Sequence, residues 1–483
     1  MDDLNHLIHS MDRRRFLQLG AAGLGGMALS GMTHAEKRKQ GLEGAGYSPK
    51  GTHHTPKAKR VIYLFQAGGP AQVDLFDHKP ELAKYHGKDI FSLIKQQGRL
   101  TGFNNTHKTH PIINTQYEFK QHGENGGTYS ELLPHMAAMS DEWTTIKSVS
   151  TTPINHDPAL TFMHTGHNLP GRPSLGSWLS YGLGTMNRNL PDFAVLVSSG
   201  DLPNMQPLNN RLWGTGFLPG KYAGVRMRSG NDPVLYLKDP SQKPITDRRK
   251  ILDVINEINA QELERSHDPE VETRIAQYEM AYRLQSSVPD LADLSDEPES
   301  TYRLYGEDAR KPGTFAYNCL MARRLAERDV RYVQLYHSGW DHHFNLPAHL
   351  PKRCMEVDQA SAALVTDLKQ RGMLDDTIVL WGGEFGRTTF SQDGKVRDSY
   401  GRDHHAGCFT MLAAGGGFKP GLIHGKTDDF CYGITEGEVP VHDLHATVLH
   451  QLGLDHERLT FKHQGRNYRL TDVHGHVVKD LLI

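Results

Sequence analysis

Three short clusters of acidic and imidazole side chains constrain this chain more than any other feature, because each adjoins a strand-like apolar run. One such run leads from Arg331 into His337-Ser338-Gly339-Trp340-Asp341-His342-His343. A second, Thr377 to Trp381, ends in Gly382-Gly383-Glu384-Phe385-Gly386-Arg387-Thr388. The third cluster, Gly401-Arg402-Asp403-His404-His405, stands just before the apolar Phe409 to Ala413. Open α/β sheets build their sites from side chains delivered at the carboxyl ends of strands. A metal site at such an edge is the expectation, and neutral imidazole is the commonest metal ligand.

The rest of the chain reads as the scaffold for that edge. Arg60 to Phe65 is a β-branched and aromatic run bounded by Gly68-Gly69-Pro70, which suits a central parallel strand covered on both faces. Asp74 follows at its carboxyl end, as a first metal carboxylate or as a helix cap. Thr144 to Val149 predicts a strand, Pro153 to Pro158 a turn, and Ala159 to His164 a helix stopping at Gly166. His156 therefore lies in a turn feeding a helix amino terminus, where free N–H groups favour negative charge. Phe193 to Val197 predicts another strand. A helix from Ala316 to Arg328 leads into the Arg331–Tyr336 strand, and a helix from Lys352 to Arg371 stops at Gly372. Strands alternating with helices predict an α/β fold with a doubly wound, mostly parallel sheet. Residues 200–312 differ in character. Ile251, Val254, Ile255, Ile258, Leu263, Ile275 and Tyr278 recur at near-helical spacing, predicting an inserted, mainly helical subdomain beside the sheet.

The amino terminus reads as an address. Arg13-Arg14-Arg15-Phe16-Leu17, a short glycine-rich apolar run and Thr33-His34-Ala35 predict a twin-arginine export signal over residues 1–35. The run is too short and glycine-rich to span a membrane. The expected partner in export is the twin-arginine translocase, and the destination the periplasm or the exterior. Residues 36–59 read as a linker, and 60–483 as the folded domain. Formal net charge is −2, so no overall field recruits nucleic acid or an anionic membrane. The four Cys show no C-x-x-C spacing, which argues against a zinc ribbon and leaves their pairing open.

The twin-arginine leader, Gly-Gly-Pro followed by Asp74, Gly339-Trp340-Asp341-His342-His343, Glu384-Phe385-Gly386-Arg387-Thr388, Gly401-Arg402-Asp403-His404 and the Asp443-Leu444-His445-Ala446-Thr447 helix occur in this order. In that combination the chain resembles the domain-of-unknown-function 1501 family, exported bacterial proteins related to the alkaline phosphatase and sulfatase superfamily. The resemblance covers almost everything after about residue 59. It implies an alkaline-phosphatase-like fold with Asp74 in the first-strand metal role, Asp341 and His343 in the second, Glu384 opening the third pair, and His404 or His405, beside Asp403, as the late imidazole. It also sets His156 at the nucleophile position. Three departures stand out: Phe385 replaces a ligand His, the D-x-x-x-H spacing becomes D-x-H, and the C-x-P-S-R nucleophile motif is missing.

The implied function is a metal-dependent hydrolase of phosphate or sulfate esters, acting on a small-molecule or polysaccharide ester. One or two divalent ions are expected, with carboxylate and imidazole ligands suiting zinc, manganese or iron better than calcium. Arg387, or Arg402, is the candidate fork for the non-bridging oxygens. The alternatives are a catalytically degenerate, metal-containing binding module for anionic polysaccharide or an envelope component, and a structural protein of the envelope.

Overall fold

In the computed structural model, residues 51–198, 206, 208–228, 245–266 and 268–483 are described. The leader, most of the stretch read as a linker and parts of 200–244 lie outside them.

β1 (Arg60–Ala67) is buried along its whole length. It is flanked in parallel by β7 (Tyr332–Ser338) on one side and β8 (Thr377–Gly382) on the other. Between β1 and β7 in the chain come a hairpin of β2 (Phe119–His122) and β3 (Gly127–Ser130), then β4 (Thr144–Ser150), β5 (Phe193–Val197) and β6 (Val225–Met227). After β8 come β9 (Gly386–Ser391), β10 (Arg402–His405) and β11 (Phe409–Ala414). The central sheet runs β4-β11-β8-β1-β7-β5-β6, with two short stretches, Ile423–His424 and Val439–Pro440, added in parallel to β4.

Side-chain alternation along the strands divides the core in two. Ile62, Leu64, Val333, Leu335, Val379 and Trp381 pack on one face against Leu320, Val357 and Leu364 of the helices Phe315–Glu327 and Leu346–Gln370. Val61, Tyr63, Phe65, Tyr336, Ile378 and Leu380 pack on the other against the helices His156–Thr165, Leu175–Leu183 and Val441–Gln451. This is the doubly wound, mostly parallel α/β arrangement the alternating pattern predicts. Among the described residues no helix is long and apolar enough to cross a membrane.

Five details depart from the sequence reading. β11 runs antiparallel to both β8 and β4. Its amino end therefore lies at the edge where the parallel strands end, and that brings 401–405 to the same edge as the other two clusters. Residues 402–405 are themselves a strand, paired with β9 in a two-stranded antiparallel ribbon. The helical spacing from Ile251 to Tyr278 belongs to two helices, Ile245–Ser266 and Pro269–Ala292, because Pro269 opens a new helix capped by Asp268. Within the predicted insertion, β6 extends the central sheet from β5. The end of the predicted linker is also docked: the N–H groups of Lys57 and Ala58 donate to the Gln451 carbonyl at 2.8 and 2.9 Å.

Candidate metal centre

Four donors converge where the strands end. Asp341 and His343 follow β7, His404 lies on β10, and His156 is the first residue of its helix. One potential ligand atom from each of the four lies within 4.8 Å of the others. The backbone allows this only through glycine. A Cβ on Gly68, whose φ is +119°, would stand 2.6 Å from the Asp341 nitrogen, and one on Gly401 would overlap the His343 carbonyl.

The three imidazoles are oriented alike. His156 Nδ1 donates to Glu384 Oε1 at 2.6 Å, His404 Nδ1 donates to the Ile154 carbonyl at 2.7 Å, and His343 Nδ1 donates to the Gln392 amide oxygen. Each acceptor requires the proton to sit on Nδ1, so in the neutral ring each Nε2 keeps its lone pair. All three Nε2 atoms face the same carboxylate oxygen, Asp341 Oδ1, at 3.1 Å (His156), 2.9 Å (His343) and 3.4 Å (His404). His156 Nε2 is buried and makes no hydrogen bond. Three lone pairs and a carboxylate oxygen aimed at one point fit a divalent cation, and the imidazole-rich set suits zinc, manganese or iron.

Charge in the pocket is set by few groups. Burial favours the neutral form of Asp341, but Arg387 and the three imidazoles hold its carboxyl far below the usual range. Burial pushes the His404 imidazole down to about 3, against its contact with Asp341 and with help from Arg387 and the neighbouring rings. Burial also opposes charge on His156, yet the facing Asp341 carboxylate and the bond to Glu384 outweigh this and raise it. A proton there is what a metal would displace.

The other predicted residues have different surroundings. Glu384 is fully buried behind His156 and is anchored by the Gly68 N–H at 3.0 Å. Arg387 is a correction to the expectation of a substrate-facing fork. Its guanidinium is fully buried and committed to Asp341 Oδ1 at 2.6 Å, to the carbonyls of Gly68 and Gly69, and to that of Arg402. Arg402 is likewise enclosed, donating to both oxygens of the fully buried Asp74 at 2.7 and 3.1 Å. Asp74 therefore stands in an ion pair outside the converging set. Asp403 holds the 101–104 loop through Thr101 and Asn104, with one oxygen 3.9 Å from His343 Nδ1. His405 turns the other way, donating to the Tyr432 carbonyl at 2.7 Å.

Sequence reasoning missed Gln392, Gln206 and the Ile154 carbonyl. Gln206 Nε2 donates to Asp341 Oδ2 at 2.9 Å. None belongs to a motif, and a carbonyl's role is invisible without the fold. Phe385, where a ligand His was expected, packs its ring 4.5 Å from that of His404 and 4.8 Å from that of His156. Beside His404 opens a cleft of about 410 Å³ whose lining includes Arg99, Thr101, Thr151, Thr152 and Tyr432.

Comparison with curated proteins finds no match. Among solved structures, the chain is similar to the alkaline phosphatase from the Antarctic bacterium TAB5, at 11% identity over 82% of this chain and 98% of that one, with a TM-score of 0.34. It is also similar to the PsFucS1 sulfatase from Pseudoalteromonas sp., at 11% identity over 83% of this chain and 68% of that one, with a TM-score of 0.33. Ps i-CgsB gives 11% identity over 82% and 72%, with a TM-score of 0.32. The profile of the family described as protein of unknown function (DUF1501) matches residues 58–482, and the chain belongs to that family.

Proposed function

We propose that this protein is a metal-dependent hydrolase of phosphate or sulfate esters, exported by the twin-arginine route, with His156, Asp341, His343 and His404 holding one divalent ion. The observation that carries the reading is the common orientation of three imidazoles, each with Nδ1 tied back and Nε2 aimed at Asp341 Oδ1. A bound ion of this type supplies an activated water and a positive centre for an ester oxygen. Glu384 keeps His156 in the ligating tautomer, and Arg387 orients Asp341 and balances its charge. Both nitrogens of His156 are engaged in this arrangement, so it serves as a ligand and not as a phosphoryl acceptor. The cleft beside His404 is the place for the ester, with Arg99 on its lining as a counter-charge.

Elemental analysis of the exported protein, joined to assays with an aryl phosphate and an aryl sulfate, tests this. The expected result is one metal ion per chain, with hydrolysis abolished by a chelator and metal lost in Asp341→Ala with His404→Ala. Full metal content in that double variant removes the ligand assignment. The enclosure of Arg387 and Arg402 favours a second reading, a metal-containing binding module for anionic polysaccharide. Metal-dependent retention on such a polymer without turnover of either ester would select it.

A further inference from the structure

Outside the metal centre, two of the four cysteines are neighbours. Cys408 immediately precedes β11 and Cys431 lies in the 428–433 loop, and both are buried and unpaired. The Cys408 thiol donates to the Cys431 carbonyl at 3.3 Å, which sets the Cys408 sulfur against the Cys431 residue. Cys431 Sγ contacts Asp77 Oδ2 at 3.2 Å and accepts from Gln72 Nε2 at 3.6 Å. The backbone adds a second observation. Cys431 has a φ of +51°, a left-handed conformation that costs less for Gly or Asn. Local bonds from the N–H groups of Phe430, Tyr432 and Gly433 to the Asp428 carboxylate hold the loop in this turn. A cysteine thus stands in a conformation easier for glycine, with the sulfur of a second cysteine against its carbonyl.

We propose that Cys408 and Cys431 form an intramolecular disulfide on meeting a disulfide oxidant. The bond would fasten the 428–433 loop, which lines the cleft beside His404, to the strand β11. The Cys408 thiolate attacks one sulfur of oxidised glutathione, breaking that S–S bond, and the released glutathione thiolate takes up the proton Cys408 gave up. The Cys431 thiolate then attacks the Cys408 sulfur of the mixed disulfide. The Cys408–Cys431 bond forms and the second glutathione leaves with the second proton. Two protein thiols are oxidised by two electrons, and one oxidised glutathione becomes two thiols. The neighbouring Cys431, opposed by burial and aided by His405, holds the Cys408 thiol below its usual range, which favours it as the attacking sulfur. Both sulfurs are enclosed, so exchange runs through lifting of the 428–433 loop.

The test uses the full-length exported protein, reduced and then incubated with oxidised glutathione. It is denatured in excess alkylating reagent, weighed intact and mapped without reduction. The expected result is that alkylatable thiols fall from four to two, that one linked peptide pair contains Cys408 and Cys431, and that reductant restores all four. Four thiols remaining, a glutathione adduct that never resolves, or a linkage involving Cys319 or Cys354 would each overturn the proposal. Because the wild-type chain is mapped directly, the result does not depend on any variant folding.

Discussion

Asp341 shows how one side chain is loaded by the fold: a single oxygen faces three imidazole nitrogens and a buried guanidinium. The acceptors behind the imidazoles are what would suit this cluster to a metal, since they decide which nitrogen keeps its lone pair. Glu384→Gln weakens the acceptor behind His156, and metal affinity is expected to fall about 10–100-fold. Competition against a chromophoric chelator measures this, and an unchanged affinity would detach Glu384 from the site. The Asp74–Arg402 pair, with both side chains fully buried, makes a separate prediction. Arg402→Met strands a carboxylate and is expected to cost about 3–5 kcal/mol, while Asp74→Asn with Arg402→Met recovers most of that loss. Chemical denaturation of the two variants decides it, with equal losses arguing against a charge effect. At this scale Asp341, His343 and His404 were legible because they stand in short motifs next to strand-like runs. Asp74 was misplaced in the ligand set because a carboxylate at a strand end looks the same whether a metal or an arginine neutralises it.

The β9–β10 ribbon carries His404, and β10 begins where the chain passes under the His343 backbone. Gly401 is the contact point, with no room for a Cβ beside the His343 carbonyl. Gly401→Ala is expected to cost clearly more than the about 1 kcal/mol of an average substitution, because backbone, not a flexible side chain, must move. Gly102→Ala, in open space, is the matched control. Urea midpoints that shift equally for both would refute the claim. The helices and parallel strands were readable from local periodicity to within a few residues, as Phe193–Val197 and Phe315–Glu327 show. The antiparallel sense of β11 was not, since an apolar run has the same pattern in either direction. The 402–405 strand was also hidden, because Arg-Asp-His-His has no strand-forming character apart from its partner β9.

Across the whole molecule, burying imidazoles ties stability to acid. His164 lies against Phe65 and Tyr336 in the core, and burial, against its bond to the Leu160 carbonyl, holds it at about 4. His445 is likewise pushed down to about 3, first by burial and then by His442. Both rings are neutral in the fold, while the unfolded chain protonates them near 6.5. Their contribution is therefore fully kept above 6.5 and lost as the pH falls to about 4 for His164 and about 3 for His445. The His164 part amounts to about 3 kcal/mol. His164→Gln should flatten this limb of a urea-stability curve between pH 6.5 and 4. A wild-type curve already level over that interval would contradict it.

Alternation of apolar residues and the placement of Gly and Pro depend on neighbours a few positions away. The sequence by itself therefore determined the two-faced sheet, its helical layers and the strand edge where acidic and imidazole residues gather. Which of those residues share a point depends on strand order and register between segments such as Gly68 and Glu384, 316 positions apart. Only the tertiary structure decided that His156 joins Asp341, His343 and His404, and that Arg402 claims Asp74. The reason is that lone-pair direction and charge pairing are properties of the packed chain and have no signature along it.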